Sequence, residues 1–149
     1  MSYTHLLYHI VFRTKSGYPT IPEAHEKELY AYIMGTINNK KSKLYRIGGT
    51  KNHVHLLVDI HPTIALSDFM KELKEYSSKW LSRNPDFPDF EGWAVSFAGI
   101  TYNFNERQTI INYISNQKEH HKTVSFEEEY RRFLTDNGIE IDERYFLKD

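Results

Sequence analysis

The sequence predicts an α+β fold: an antiparallel sheet with helices on one face, in the ferredoxin-like order β-α-β-β-α-β. Three observations predict it. Runs of strand-like residues recur at 4–13, 44–50 and 54–60, with the period of two that marks strands. Ile21 to Asn38 and Leu66 to Leu81 instead space their apolar residues as helices do. Lys51-Asn52, between the second and third runs, is short enough for a tight hairpin turn.

The elements follow in order. In the first strand His5, Leu7, His9 and Val11 share one face, and Leu6, Tyr8, Ile10 and Phe12 the other. Gly17-Tyr18-Pro19 ends it. The first helix carries Leu29, Tyr32, Ile33 and Ile37, with Pro22 in its first turn. His61-Pro62 stops the third strand. The second helix aligns Leu66, Phe69, Met70, Leu73 and Trp80. Trp93 to Phe97 alternates and is expected to be the fourth strand, after a Pro/Asp loop from Asn84 to Pro88. A third helix is expected from Asn105 to His121, with Asn105 and Gln108 as a capping box. Ser125 with Glu128 opens a fourth helix, running to about Leu134. The 149 residues are expected to form one domain, with a core of about 1–121 and a C-terminal helix and acidic tail over 125–149.

The composition narrows the function classes. With 40% hydrophobic and 26% charged residues, the chain reads as an ordinary soluble globular protein. The absence of cysteine excludes thiol nucleophiles, thiolate zinc sites and disulfides, and suits a reducing cytosol. The apolar N-terminal run is too short to span a membrane and lacks the marks of a signal peptide. A cytoplasmic location without membrane contact is therefore expected. The net charge of −1 is divided unevenly. Residues 126–149 hold 8 acidic residues and 4 Lys/Arg, which leaves 15 Lys/Arg and 12 acidic residues in 1–125. That mildly basic body is weak support for a nucleic-acid partner.

Two small motifs carry chemistry. His53-Val54-His55 places two imidazoles on one strand face, about 6–7 Å apart along the chain, where they can chelate one metal ion while Val54 turns inward. Two half-exposed sheet histidines are the plain alternative. Tyr113 and Gln117 share a helix face at i and i+4, beside an apolar stripe of Ile110, Ile111 and Ile114. The phenol is a candidate nucleophile and the amide oxygen a tolerable ligand for Mg²⁺ or Mn²⁺. Tyr113 as one more packing tyrosine is the alternative. Taken together, the motifs describe a metal held by His53, His55 and Gln117 that activates a phosphodiester for attack by Tyr113. Mg²⁺ is the expected ion, with Mn²⁺ and Zn²⁺ compatible.

The combined pattern resembles the HUH-type single-tyrosine transposases of the insertion sequence 200/605 group. The likeness runs through Tyr8 to Thr14, Asn52 to Leu57, Lys71 to Leu81, Tyr113 to His121, Phe126 to Tyr130 and the ending from Gly138 through Tyr145. Members often carry Asp before the first histidine, where this chain has Asn52. The resemblance implies cutting and rejoining of single-stranded DNA at hairpin-marked ends of a mobile element. It implies a 5′-phosphotyrosine on Tyr113, a free 3′-OH, and no nucleotide cofactor. It also implies a homodimer with composite sites, in which the tyrosine helix of one subunit can serve the histidine pair of the other.

Arg13, Lys15, Lys51, Lys71, Lys74 and His120 are candidate DNA contacts, with solvated charge as the plain reading. His9 is expected to pack, and His121 to lie on the surface. Three alternatives stay open: a non-catalytic module binding single-stranded DNA or RNA, a metallohydrolase using water, and a domesticated relative acting on chromosomal hairpin repeats.

Overall fold

The computed structural model describes residues 2–148. Four strands, β1 (Leu7–Arg13), β2 (Lys43–Gly49), β3 (His53–Asp59) and β4 (Ala98–Thr101), form one sheet in the order β2-β3-β1-β4. Every pairing is antiparallel. With helices α1 (Glu26–Asn39) and α2 (Leu66–Ser82) between the strands, this is the expected ferredoxin-like topology. Lys51 and Asn52 make the expected turn, closed by Thr50 N–H donating to the His53 carbonyl at 3.1 Å.

Each strand's period of two assigns its faces. Ile10, Phe12, Val54, Leu56 and Val58 point to α1 and α2, meeting Leu29, Ile33, Phe69 and Leu73 in the main core. The other face carries Leu7 and Leu57, which pack with Ile110 and Ile114 of α3 (Arg107–Ser115) in a second, smaller cluster. All but Asp59 of β3 is buried, because helices cover both sides of it. α4 (Gln117–His120) and α5 (Phe126–Asp136) complete the second face.

Three expectations are corrected. The fourth strand is Ala98–Thr101, not Trp93–Phe97. The carbonyls of Ala94, Val95 and Ser96 all turn to the Lys74 ammonium, so they are not free for a ladder. Trp93 makes an isolated bridge to Thr14, and its indole donates to Ser77 Oγ at 3.0 Å. The third helix is broken at Asn116 (ψ 15°), which divides it into α3 and α4. The capping box lies at Asn103 and Glu106 rather than Asn105 and Gln108, with Glu106 Oε1 accepting from Asn103 N–H at 3.1 Å. The Ser125 cap of α5 is as expected, accepting from Glu128 N–H at 3.1 Å.

The chain after α5 folds back on it. Arg131 pairs with Glu143 through both terminal guanidinium nitrogens at 2.6 and 3.0 Å and lies over the Phe146 ring. Arg13 of β1 donates to the Leu147 carbonyl.

Close approach of α3 to β2 depends on Gly48, where an added Cβ would meet the Ile114 carbonyl oxygen at 2.7 Å. Gly48→Ala is expected to cost about 1–3 kcal/mol in urea unfolding, the range for overpacking. Gly35→Ala, on α1 with open space around it, is expected to be neutral or to add about 0.5–1 kcal/mol.

Candidate metal and tyrosine site

β3 and β1 supply the floor of the site. His53 and His55 project from the same face of β3 and are 0% and 1% exposed. His9 stands beside them on β1 and is also buried. α3 and α4 bring Tyr113 and Gln117. The break at Asn116 leaves both over the histidines, with the Tyr113 and His55 ring centroids 5.8 Å apart and Gln117 Oε1 2.9 Å from His53 Nε2. The four residues of the two motifs thus lie together.

Glu129, from the first turns of α5, sits between them and was not singled out by sequence. Its Oε1 lies 3.4 Å from His53 Nε2, 3.2 Å from His55 Nε2 and 2.9 Å from His121 Nε2. Its Oε2 accepts hydrogen bonds from the Tyr113 hydroxyl and, at 2.8 Å, from Gln117 Nε2. His121, expected on the surface, instead turns inward and keeps 10% of its side-chain exposure. The Val124 carbonyl, 2.7 Å from its Nδ1, holds it there. His120 is half-buried, its Nε2 3.4 Å from Glu129 Oε2. A sequence signal for Glu129 existed: it stands between Phe126 and Phe133 at helical spacing, a carboxylate on the apolar stripe of its helix.

The network fixes tautomers. Asn52 donates to the Gly17 carbonyl at 3.3 Å, which turns its Oδ1 to His53 Nδ1 at 2.9 Å. An amide oxygen can only accept, so His53 Nδ1 carries a hydrogen. Asn52 therefore does for His53 what an aspartate would, without the charge. A neutral His53 then points a bare Nε2 at two oxygens, those of Gln117 and Glu129. Three lone pairs face one another, an arrangement that needs a positive charge among them: a second proton on His53, or a cation. His55 Nδ1 is likewise held, by His9 Nε2 at 2.8 Å. This donor set fits a divalent metal, and His53, His55 and Glu129 can reach one ion together.

The charges interact strongly. Burial alone would raise the Glu129 carboxyl, but the imidazoles of His121, His53 and His55 around it hold it far below the usual carboxylate range. Burial pushes the Tyr113 phenol well above its ordinary value, and the hydrogen bond to Glu129 adds to this. Burial lowers His55 and His9, the latter helped by the charge of His55. Burial opposes protonation of His121, but its bond to Glu129 leaves it above the ordinary histidine value. Tyr113 lines a pocket of about 370 Å³ together with His9, His120, Arg132 and Phe133, so the phenol is reachable while the histidine pair is covered.

The candidate DNA contacts separate into two kinds. Lys15, Lys51 and Lys71 are exposed. Arg13 is buried under the C-terminal tail. Lys74 donates to three loop carbonyls at 2.8, 2.9 and 3.1 Å, and burial lowers its amine to about 8.

The comparisons with known proteins agree with this architecture. The family described as "Transposase IS200 like" matches residues 2–117, and the chain belongs to it. A solved structure from Deinococcus radiodurans R1, of a protein proposed to be a transposase, is 24% identical with a TM-score of 0.58. The match covers 78% of this chain and 93% of that one. The structure of a REP-associated tyrosine transposase bound to a REP hairpin is 12% identical with a TM-score of 0.62, covering 83% of this chain and 73% of that one. At these identities the likeness is one of fold. No curated protein matches the sequence. Among the described residues no helix is long and apolar enough to cross a membrane.

Lys74→Met is expected to destabilise the 93–97 loop by about 1–3 kcal/mol through its stranded carbonyls, measured by thermal unfolding.

Proposed function

We propose that this transposase cuts and rejoins single-stranded DNA at hairpin-marked ends, with Tyr113 as nucleophile and a divalent cation held by His53, His55, Gln117 and Glu129. The observation that carries the reading is Glu129: one carboxylate touches the tyrosine hydroxyl on one oxygen and both histidines on the other. Family membership and a solved neighbour named for its hairpin complex support the substrate.

When bound, the cation would polarise the phosphodiester and offset negative charge developing on it. The remaining chemistry falls to side chains. Tyr113 Oη bonds to phosphorus as its proton passes to Glu129 Oε2. The bond from phosphorus to the 3′ oxygen breaks, and that oxygen takes up a proton to leave as a 3′-OH. The strand remains on Tyr113 as a 5′-phosphotyrosine. Rejoining reverses the step: a 3′-OH attacks the ester and the phenol recovers its proton. Gln117 Nε2 and the Tyr113 hydroxyl share Glu129 Oε2, which orients the nucleophile. Lys15, Lys51 and Lys71 are the exposed cations available to DNA phosphates. Tyr113 and the histidine pair lie close together within one subunit, with ring centroids of Tyr113 and His55 5.8 Å apart, which is compatible with cutting in cis, while a composite dimer would place the same tyrosine over its partner's histidines.

Incubation with Mg²⁺ or Mn²⁺ and labelled single-stranded DNA from the flanks of its own gene is expected to give a protein-linked strand on a denaturing gel. Tyr113→Phe and chelation should each abolish it. Glu129→Gln should slow it by about 10²- to 10⁴-fold, the range for a lost general base. Cleavage without the linked strand would instead identify a metallohydrolase, and hairpin binding without cleavage a binding module. Mixed Tyr113→Phe and His53→Ala chains should stay inactive if the cut is made in cis. Restored activity would mean that the tyrosine of one subunit serves its partner's histidines, as in a composite dimer.

A further inference from the structure

We infer that His121 is a third imidazole ligand of the same cation, so that the centre selects a transition-series ion such as Mn²⁺, Co²⁺ or Zn²⁺ over Mg²⁺. The inference rests on the reading that His53 and His55 hold a cation.

Three Nε2 atoms converge on a single oxygen. His121, His55 and His53 approach Glu129 Oε1 at 2.9, 3.2 and 3.4 Å. Two of them also converge on Gln117 Oε1, His53 at 2.9 Å and His121 at 3.1 Å. His53 and His55 form one three-ligand group with Glu129, and His121 forms another with His120 and Glu129, so the two groups meet at the shared carboxylate and an ion bound there would draw the His121 imidazole to it.

The outer partners match as well. Metal-bound histidines use their second nitrogen on a fixed acceptor. Two of these three do so, His53 on Asn52 Oδ1 and His121 on the Val124 carbonyl, while His55 Nδ1 shares a hydrogen bond with His9 Nε2 at 2.8 Å. His120 differs, because its Nε2 lies nearest the other carboxylate oxygen, on the tyrosine side. His121 lies outside the family-matched span of 2–117.

The donor set decides the ion class. Mg²⁺ takes oxygen ligands and keeps its waters. Imidazoles favour later divalent ions, with Co²⁺ bound more tightly than Mn²⁺ and Zn²⁺ well suited to nitrogen ligands. Three imidazoles beside one carboxylate and one amide oxygen make a weaker site for Mg²⁺ than for these ions.

The test is binding, not turnover. Metal-free full-length protein is titrated with Co²⁺, Mn²⁺ and Mg²⁺ by calorimetry, and Co²⁺ is followed by its visible absorption. One Co²⁺ per chain is expected, bound at least about 100-fold more tightly than Mg²⁺. His121→Ala should weaken Co²⁺ by more than about 100-fold, beyond the 10- to 100-fold typical of a lost outer partner. His25→Ala, in the exposed His25, Glu28 and Asp86 group, should leave binding unchanged. His121→Cys keeps a ligand at the position and should give a sulfur-to-cobalt charge-transfer band, which a structural residue would not produce. Co²⁺ bound by His121→Cys without that band, or Mg²⁺ bound as tightly as Co²⁺, would overturn the inference. His53→Ala losing Co²⁺ while His121→Ala keeps it would overturn the inference alone and leave the proposed function standing. Wild-type protein that binds none of the three ions would overturn both.

Discussion

The second face of this protein is organised around one buried carboxylate. Glu129 is 4% exposed, and an unpartnered carboxylate so placed would cost several kcal/mol. Its oxygens are instead met by groups from three directions: imidazoles from β3, an amide and a phenol from α3 and α4, and the imidazole of His121. α5 is thus fastened to the site by polar contacts as well as by Phe126 against His53 and Phe133 against His9. Removing the carboxylate would leave several oriented donors without an acceptor, and removing the donors would strand the charge. Helix position and site chemistry are one interaction.

The sheet was legible because its signals are local. Hydrophobic alternation, the Lys51-Asn52 turn and two amphipathic helices sufficed for the order of elements. The His-x-His and Tyr-x-x-x-Gln pairs were legible for the same reason, since strand and helix periods put each pair on one face. The fourth strand was misplaced because Trp93 to Phe97 has the better alternation, while Ala98-Gly99-Ile100-Thr101 has the pairing. What decides between them is an ammonium twenty residues away in sequence, which no strand pattern contains. Glu129 was hidden among three consecutive glutamates that look like a solvated face, and it meets His55 across 74 positions. His121 was hidden by the turn after α4, where a backbone carbonyl reverses its direction.

The charge balance also makes better sense in three dimensions. Two of the tail's eight acidic residues are paired within it, Glu143 with Arg131 and Asp142 with Arg144. Some of the positive charge is internal too, since Arg13 and Lys74 serve carbonyls of the fold. The cations that remain exposed near the first strand and the hairpin turn are fewer than the count suggests, and they are placed around one end of the sheet.

The register of β3 has a consequence for how the protein can vary. Val54, Leu56 and Val58 enter the main core, while His53, His55 and Leu57 face α3. Core and site are therefore written on opposite parities of the same seven residues. A slip of one position against β1 would drive imidazoles into the hydrocarbon interior and lift its valines toward the tyrosine. No misregistered form retains a sound core, so a chain that reaches a stable fold arrives with its histidines already aligned. A one-residue deletion in the turn before His53 would displace the core valines and the histidine pair in a single event.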